Sequence, residues 1–346
     1  MPQVNPAIMV WARETAGLSQ EEAAKKLGLR DSPRSSAVEK LAFIERGQKE
    51  PSRPQLLKMA GQYRRPLLTF YLSKPPQKSN RGVDFRTLPQ SEHSPEEALL
   101  DALIREIRAR QSMVRVIMED EDEAVPLPFV GSHRIEDGRA AVLESLQAVL
   151  GLTTSDYRTQ PNAPLAFALL RKSAEEAGIF VLLKGDLGNH VTALDTTIFR
   201  GFSIADEVAP FILINDRDAR SAWPFTLMHE TVHLLLGNTG VSGGSAENEV
   251  ERFCNDVAGE FLLPTRDSER LNLNDSDEID AITAKSSEQD GGSSYYRTRR
   301  HRLGSRIIGL VKRMMAADAL STSKAAQILG VKPRQVQPLL DTGSSR

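Results

Sequence analysis

The sequence predicts an α+β fold that is mostly helical, with a small β-sheet in the middle of the chain. Through most of the 346 residues, apolar side chains recur every three or four positions, which is the spacing of helices with one buried face. Three short apolar runs, at 179–183, 197–204 and 210–215, instead have the length and composition of strands. We therefore expect a central domain of helices and sheet, with helical regions before and after it.

The amino-terminal region has the pattern of a small helical bundle. Asn5 and Pro6 are typical of a helix start, and Gly17 is typical of its end. Ser19, with Glu22 three residues on, forms a capping box that begins a second helix, and a glycine turn follows that helix. Short helices separated by a glycine turn are the arrangement of a helix-turn-helix.

The next helix, at roughly 35–46, is the expected DNA-reading element of this bundle. Its candidate DNA contacts are Ser36, Glu39, Lys40 and Arg46. The connection before it is several residues longer than usual, and apolar residues take positions that often read bases. A small helical module that docks another protein is therefore the alternative.

Charge is strongly segregated along the chain, although the formal net charge is only −2. Residues 1–78 carry a net charge of +7 and residues 295–346 carry +9, which leaves −18 for residues 79–294. Basic ends around an acidic centre favour contact of the ends with nucleic acid. Ordinary solvated helix faces are the alternative.

A His-Glu-x-x-His motif lies inside the apolar run 225–236. On a helix, His229 and His233 are one turn apart and project from the same face, so their imidazoles can share one divalent metal ion. Glu230 is then placed to act on a water molecule that the metal activates. Two histidines that fall four apart by chance are the alternative.

A third ligand is expected from the segment 246–264, whose apolar positions also recur at helical intervals. Glu251 lies next to that apolar stripe, where a carboxylate would complete a His₂Glu site with the fourth position open, as in a catalytic zinc site. Glu247 and Glu260 are the alternatives to Glu251. For each of them, an ordinary solvated charge is the alternative to a ligand.

Other residues on the same predicted helix have candidate roles around the metal. Asn255, or Asp256, is placed to orient a ligand histidine through its second ring nitrogen. Cys254 is the single cysteine, which excludes an internal disulfide and fits a reducing compartment. We favour a small buried residue at Cys254 over a metal ligand or a redox switch.

These motifs resemble those of the ImmA/IrrE-type metallopeptidases, in the architecture with an amino-terminal helix-turn-helix of the XRE type. The resemblance rests on the His-Glu-x-x-His run, on Glu251-x-x-Cys-Asn-x-x-Ala, and on Phe-Leu-Leu-Pro at 261–264. Residues 199–202 and 210–215 resemble the strands that precede the zinc helix in that family, and residues 84–89 resemble its interdomain linker.

The resemblance implies a zincin-like domain in which His229, His233 and Glu251 bind Zn²⁺ and Glu230 is the general base. Two positions on the Glu251 helix depart from the family pattern, with Cys and Val in place of the usual Ala and Phe, and both are packing changes. The family includes proteases that cleave repressors, so a repressor or another regulatory protein is the substrate that the resemblance implies.

The carboxy-terminal part repeats the pattern of the amino-terminal bundle. Residues 321–332 again show a capped helix followed by a glycine turn, which predicts either a second helix-turn-helix-like unit or a plain helical cap. Just before it, Tyr295, Tyr296 and His301 are candidates to stabilise a developing oxyanion, with a structural role as the alternative for each.

Composition shifts and motifs divide the chain into five predicted segments. They are an XRE-like helix-turn-helix domain at 1–73, a linker at 74–93, a metallopeptidase domain at 94–265, a mobile segment at 266–294 and a basic helical region at 295–346. No apolar run approaches the roughly 20 residues that span a membrane, and the amino terminus lacks a signal-peptide core, so we expect a cytoplasmic protein.

The expected function is that of a DNA-binding regulatory zinc metalloendopeptidase that cleaves a repressor or another regulatory protein. The alternative is a transcriptional regulator, or an antitoxin with a toxin as its partner, in which the metal site is sensory, structural or degenerate. The two differ in whether the biological output requires Glu230 as a catalytic base.

Overall fold

The computed structural model describes residues 4–76, 95–242, 249–263 and 295–341. These residues fall into two units. The first contains residues 4–76, 95–105 and 187–192, and the second contains residues 106–186, 193–242, 249–263 and 295–341. Most of the predicted linker at 74–93 and the whole predicted mobile segment at 266–294 lie outside the described residues.

Four short helices and a 3₁₀ helix form the first unit up to residue 76. Their bounds are α1 Pro6–Glu14, α2 Gln20–Leu27, α3 Ala37–Glu45, α4 Arg53–Gln62 and the 3₁₀ helix Leu67–Tyr71. Ser19, Ser36 and Ser52 each begin a helix with a capping box, in which side chain and backbone bond reciprocally across one turn. The helices bury their apolar faces in one shared core.

A buried ion pair joins α1 to α3 in this unit. Arg13 Nε donates to Glu45 Oε1 at 2.7 Å, and both side chains are almost fully buried. Gln20, at the start of α2, donates its amide to Glu45 Oε2 at 2.8 Å. One carboxylate therefore joins three helices, and removal of its charge would leave the buried Arg13 with only the exposed Glu14 as a counter-ion.

The second unit contains a four-stranded sheet with helices around it. The helix α5, Pro95–Asp120, contributes residues to both units. The following elements are α6 Arg139–Leu150, α7 Thr154–Arg158, α8 Ala163–Glu176, β1 Phe180–Leu183, β2 Gly201–Ile204, β3 Phe211–Ile214, α9 Trp223–Leu235, β4 Gly240–Ser242 and α10 Glu249–Leu262. The predicted α+β class is confirmed.

The strand order in the sheet is β1-β3-β2-β4. β1 runs parallel to β3, whereas β2 runs antiparallel to both of its neighbours. All residues of β1, β2 and β3 are buried, which explains why these strands are continuous apolar runs. The three predicted strands are confirmed, although β2 is shorter than expected. The three-residue β4 was not predicted, because so short a strand carries no recognisable pattern.

Four helices follow in the last described range: α11 Tyr295–Leu303, α12 Ser305–Ala316, α13 Thr322–Leu329 and α14 Pro333–Asp341. Glu175 on α8 caps α12, since its Oε2 accepts from the backbone N–H of Ser305 at 2.8 Å and of Arg306 at 3.2 Å. Its Oε1 accepts from Arg171 Nε at 3.1 Å. Arg171 also donates to the carbonyls of His301 and Val181, so these groups fasten α11 and α12 to α8 and β1.

None of the helices in the described ranges is both long and apolar enough to cross a membrane. The longest of them, α5, has 26 residues and carries charged side chains along its length.

Candidate metal centre

The helix α9 lies at the centre of the second unit and carries the His-Glu-x-x-His motif. Pro224 occupies its first turn, where a missing N–H has no cost, and Gly237 follows its end in the left-handed region at φ 68°. All residues from 226 to 235 are buried. The helix packs against the sheet on one side and against α10 on another. A helix that is buried all round explains the apolar run that surrounds the motif.

His229 and His233 direct their Nε2 atoms to one point, with 3.0 Å between the two nitrogens. Glu251, on α10, brings Oε2 to 3.3 Å from His229 Nε2 and Oε1 to 3.3 Å from His233 Nε2. Both imidazoles are buried, and the carboxylate is largely buried. The structure thus brings together the three residues that the sequence pattern and the resemblance place around a metal.

The three side chains fit a tetrahedral zinc site. Bonds of about 2.0–2.1 Å from a tetrahedral zinc ion to nitrogen and oxygen ligands place those ligands about 3.3 Å from one another. The measured separations, 3.0 and 3.3 Å, match this spacing. Two imidazoles and one carboxylate are also a ligand set that zinc uses in open, catalytic sites.

The electrostatics of the cluster keep the Glu251 carboxylate ionised. Burial raises the pKa of Glu251, but hydrogen bonds from His229 and His233 outweigh burial and lower that pKa to about 2. Burial lowers the pKa of His233, whereas Cys254, Glu251 and Glu230 raise it, and the net result lies well above the ordinary value. The carboxylates of Glu251 and Glu230 thus favour positive charge between the two histidines, and metal coordination requires an ionised carboxylate.

Glu230 lies on the side of α9 that faces the sheet. Its side chain is fully buried. A Cβ atom at Gly201 of β2 would lie 3.0 Å from Glu230 Oε1 and 2.6 Å from Thr226 Cγ2. Close contact of β2 with α9 therefore requires glycine at position 201. The sequence prediction missed this residue, and a glycine at the start of an apolar strand is the signal that could have revealed it.

Cys254 lies in the interior beside the metal cluster, where its thiol interacts with His233. Its side chain is fully buried within the core that α9 and α10 share. Burial raises the pKa of the thiol, which favours the neutral form, although the charge of His233 opposes this effect. The group of candidate ligands in the described ranges contains His229, His233 and Glu251. These facts support the small buried residue that we favoured at position 254.

Three other candidates lie on α10, and none of them has a described contact with the two histidines. The Nδ1 atoms of His229 and His233 are buried without a hydrogen-bond partner in the described ranges, so no hydrogen bond joins Asn255 to either of them. Asp256 instead accepts from Arg139 at 3.0 Å on the surface. Glu260 lies outside the candidate ligand group, and Glu247 lies outside the described residues.

The three candidates for oxyanion stabilisation lie on α11 and have different surroundings. The rings of Tyr295 and Tyr296 contact each other edge to face, and Tyr295 is exposed. The ring of His301 lies 6.1 Å from that of Trp223, the first residue of α9. Burial, together with the positive charge of Arg171, lowers the pKa of His301, which favours a neutral imidazole. His301 is thus the candidate that contacts the helix of the metal ligands.

The predicted DNA contacts of α3 are mostly engaged within their own unit. Ser36 and Glu39 bond to each other's backbone N–H groups in the capping box, at 3.1 and 2.7 Å. Lys40 Nζ donates to the carbonyl of Arg30 at 2.6 Å. Arg46, just after α3, is exposed. Contact of these four residues with DNA stays a prediction.

A pair of buried histidines one helical turn apart, a glutamate from the next helix and a second glutamate beside the first histidine form an arrangement that metallopeptidases use. A comparison with known families agrees with that class. Residues 174–288 match the model of the Peptidase M78 family, described as the IrrE N-terminal-like domain. The matched segment includes the four strands and both helices of the cluster. Searches of curated proteins and of solved structures gave no match to the chain.

Proposed function

We propose that the chain is a zinc-dependent metalloendopeptidase, with His229, His233 and Glu251 as the metal ligands. The observation that carries the proposal is the spacing of the three ligand atoms, 3.0 to 3.3 Å, in a buried cluster. The cluster lies inside the segment that matches a peptidase family. Zinc in this place would polarise the scissile carbonyl and lower the pKa of the attacking water.

Glu230 is the general base in this proposal. It follows His229 directly in the chain and is fully buried, so its carboxylate acts where bulk water does not compete for the proton. It takes the proton of the attacking water and returns it to the nitrogen of the leaving amine. Phe225 lies one turn before His229, with 6.2 Å between the rings, and is partly exposed, so it offers an apolar contact to a substrate side chain.

The proposed substrate is a repressor or another regulatory protein. We propose that the enzyme cleaves it while bound to DNA. Support comes from the basic composition of both ends of the chain and from the helical bundle at its amino terminus. Arg46, which follows α3 directly and is exposed, is the residue of this bundle that we expect to contact DNA. A transcriptional regulator or antitoxin with a toxin partner, in which zinc is sensory or structural, is the alternative, because the same basic ends would serve it.

Metal content and proteolysis together test the metallopeptidase. Purified wild-type protein should contain about one zinc per chain, His233→Ala should lose it, and Glu230→Gln should retain it because Glu230 is not a ligand. Profiling of new protein amino termini in cells that express wild type or Glu230→Gln should identify cleavage products specific to the wild type. Equal zinc in the wild type and His233→Ala would overturn the ligand assignment. Absence of cleavage products specific to the wild type, together with unchanged biological output in Glu230→Gln, would favour the regulator.

A further inference from the structure

The last two helices are joined by a turn with helix-turn-helix dimensions. α13 ends at Leu329 and α14 begins at Pro333, so the three residues 330–332 connect them. Helix-turn-helix motifs have a turn of about three or four residues that often contains glycine. Gly330 ends α13 in the left-handed region at φ 62°. In the amino-terminal bundle, by contrast, residues 28–36 separate α2 from α3, which is a much longer connection.

The two helices pack on each other through small and branched apolar residues. The inward positions, all at most 4% exposed, are Ala325, Ala326, Ile328, Leu329, Val336, Leu339 and Leu340. The pair of alanines lets the two helix backbones approach closely. The helix α12 packs against α13, so that three helices share one small core.

The turn is fixed in place by α11. Arg299 Nη2 donates to the carbonyl of Leu329 at 3.1 Å and to that of Gly330 at 2.6 Å. A Cβ atom at Gly330 would lie 2.5 Å from Arg110 Nη2 and 2.9 Å from Arg299 Nη2. Two guanidinium groups therefore occupy the space beside the turn, and the one from α11 holds the turn through its hydrogen bonds.

The outward side of this pair is basic and polar. Lys332 and Arg334, at the start of α14, and Lys324, on α13, are exposed. Gln337, one turn further on α14, is also exposed and donates its amide to Asp341 at 2.8 Å. Recognition helices contact bases with their amino-terminal residues, while the preceding helix crosses the phosphate backbone. Arginine and glutamine are side chains that read guanine and adenine.

We propose that α13 and α14 are a DNA-binding helix-turn-helix, with α14 as the recognition helix and double-stranded DNA as the partner. Arg334 contacts base edges, and Lys332 and Lys324 contact phosphates. The surrounding composition matches this partner, because residues 295–341 contain ten Lys or Arg and two Asp. This element belongs to the same unit as the metal cluster, so it brings DNA to the unit that carries out the proposed reaction. The proposal does not depend on peptidase activity.

The test measures binding of the full chain to a fluorescent duplex of mixed sequence, followed by selection from a pool of random duplexes. Lys332→Ala with Arg334→Ala should weaken binding at least tenfold. The slope of log affinity against log salt should become shallower by about one for each phosphate that the variant no longer neutralises. Arg334→Ala alone should change the selected sequence at one position. Lys172→Ala with Arg158→Ala removes the same charge from exposed positions of α8 and α7 and should leave binding within twofold.

The matched variants show whether the surface of α13 and α14 itself binds the duplex. Unfolding temperature and zinc content should be the same in all variants, so that weaker binding reports the surface. The proposal is overturned if wild-type protein does not bind the duplex, or if the Lys172 and Arg158 variant loses as much affinity as the α14 variant. It is also overturned if Arg46→Ala abolishes binding while the α14 variant binds normally, because DNA contact would then belong to the amino-terminal bundle.

Discussion

Gly201 on β2 and Glu230 on α9 are in such close contact that a single added methyl group would lie 3.0 Å from the carboxylate oxygen of Glu230. The same methyl group would lie 2.6 Å from Thr226 and 3.1 Å from the carbonyl of Leu213. The position of the proposed general base is therefore set by the absence of a side chain on the neighbouring strand.

Gly201→Ala should lower both stability and turnover. Overpacking in a close-packed interior costs about 1–3 kcal/mol, and relief of the contact displaces Glu230 from its position beside His229. Thermal denaturation and cleavage assays measure the two effects. Gly259→Ala is the matched control, because nothing lies within 4 Å of an added Cβ there, and alanine should stabilise α10 slightly. Equal behaviour of the two variants would contradict this interpretation of Gly201.

Removal of the metal should lower the unfolding temperature of the wild-type protein. Binding of a ligand to the folded state alone stabilises it by about 4 kcal/mol at a thousandfold excess over Kd. Thermal denaturation before and after treatment with a chelator measures this contribution. Glu251→Gln removes the anionic ligand but keeps the shape of the side chain, so the chelator should have little effect on that variant. An equal shift in both proteins would show that the stabilising ion binds elsewhere.

Glu45→Gln should destabilise the first unit by about 3 kcal/mol, because the buried guanidinium of Arg13 then keeps only the exposed Glu14 as a counter-ion. Urea denaturation followed by circular dichroism measures the change. Glu14→Gln is the matched control, because Glu14 lies 3.5 Å from the same arginine but is 59% exposed. An exposed ion pair contributes less than about 1 kcal/mol. Similar losses in the two variants would contradict the importance that we assign to burial.

Stability should depend on the ionisation of Asp206 in acid. Burial raises the pKa of Asp206, but backbone N–H groups of Ala209 and Val208 and the guanidinium of Arg115 more than compensate, so its pKa in the folded protein is below the ordinary value. A lowered folded-state pKa stabilises the protein above the unfolded pKa of about 3.9, and this contribution disappears as the pH falls through the folded pKa.

Asp206→Asn should therefore lower the free energy of unfolding by about 1 kcal/mol near neutral pH, since asparagine retains an acceptor oxygen but not the charge that attracts Arg115. The difference between variant and wild type should shrink as the pH falls through the lowered folded-state pKa of Asp206. Denaturant titrations over this pH range measure it. A difference that stays constant down to about pH 2 would show that the charge of Asp206 is not its cause.

The metal cluster was predictable from sequence to a large extent because most of its geometry is local. His229 and His233 are fixed on one face by the pitch of a helix, which the apolar run around them predicts. The partner helix was predicted from its periodicity, and Glu251 was preferred over Glu247 and Glu260 because it lies next to the apolar stripe; the family resemblance then implied the same ligand. Packing of α10 on α9 is a tertiary contact, and local patterns do not specify it.

The sequence around the start of α3 contains a capping-box pattern that the predictions for this helix did not take into account. Ser36 and Glu39 have the same spacing as Ser19 and Glu22, and both pairs form capping boxes in the structure. Ser36 and Glu39 were interpreted as groove contacts because α3 occupies the place of a recognition helix. Their roles at a DNA surface stay a prediction, whereas their bonds within the helix end are seen. Gly201 was missed because its constraint comes from a helix elsewhere in the chain.

The two oxygens of the Glu175 carboxylate connect α8 to the helices that follow the family match, so a fragment without those helices loses these bonds. One oxygen receives the first N–H groups of α12, and the other receives Arg171, whose remaining donors bond to carbonyls of α11 and β1. A fragment that stops at the boundary of the family match would expose this arginine's hydrogen-bonding groups to solvent and uncover an apolar surface. Expression trials should therefore extend at least through residue 316, even when only hydrolysis is of interest.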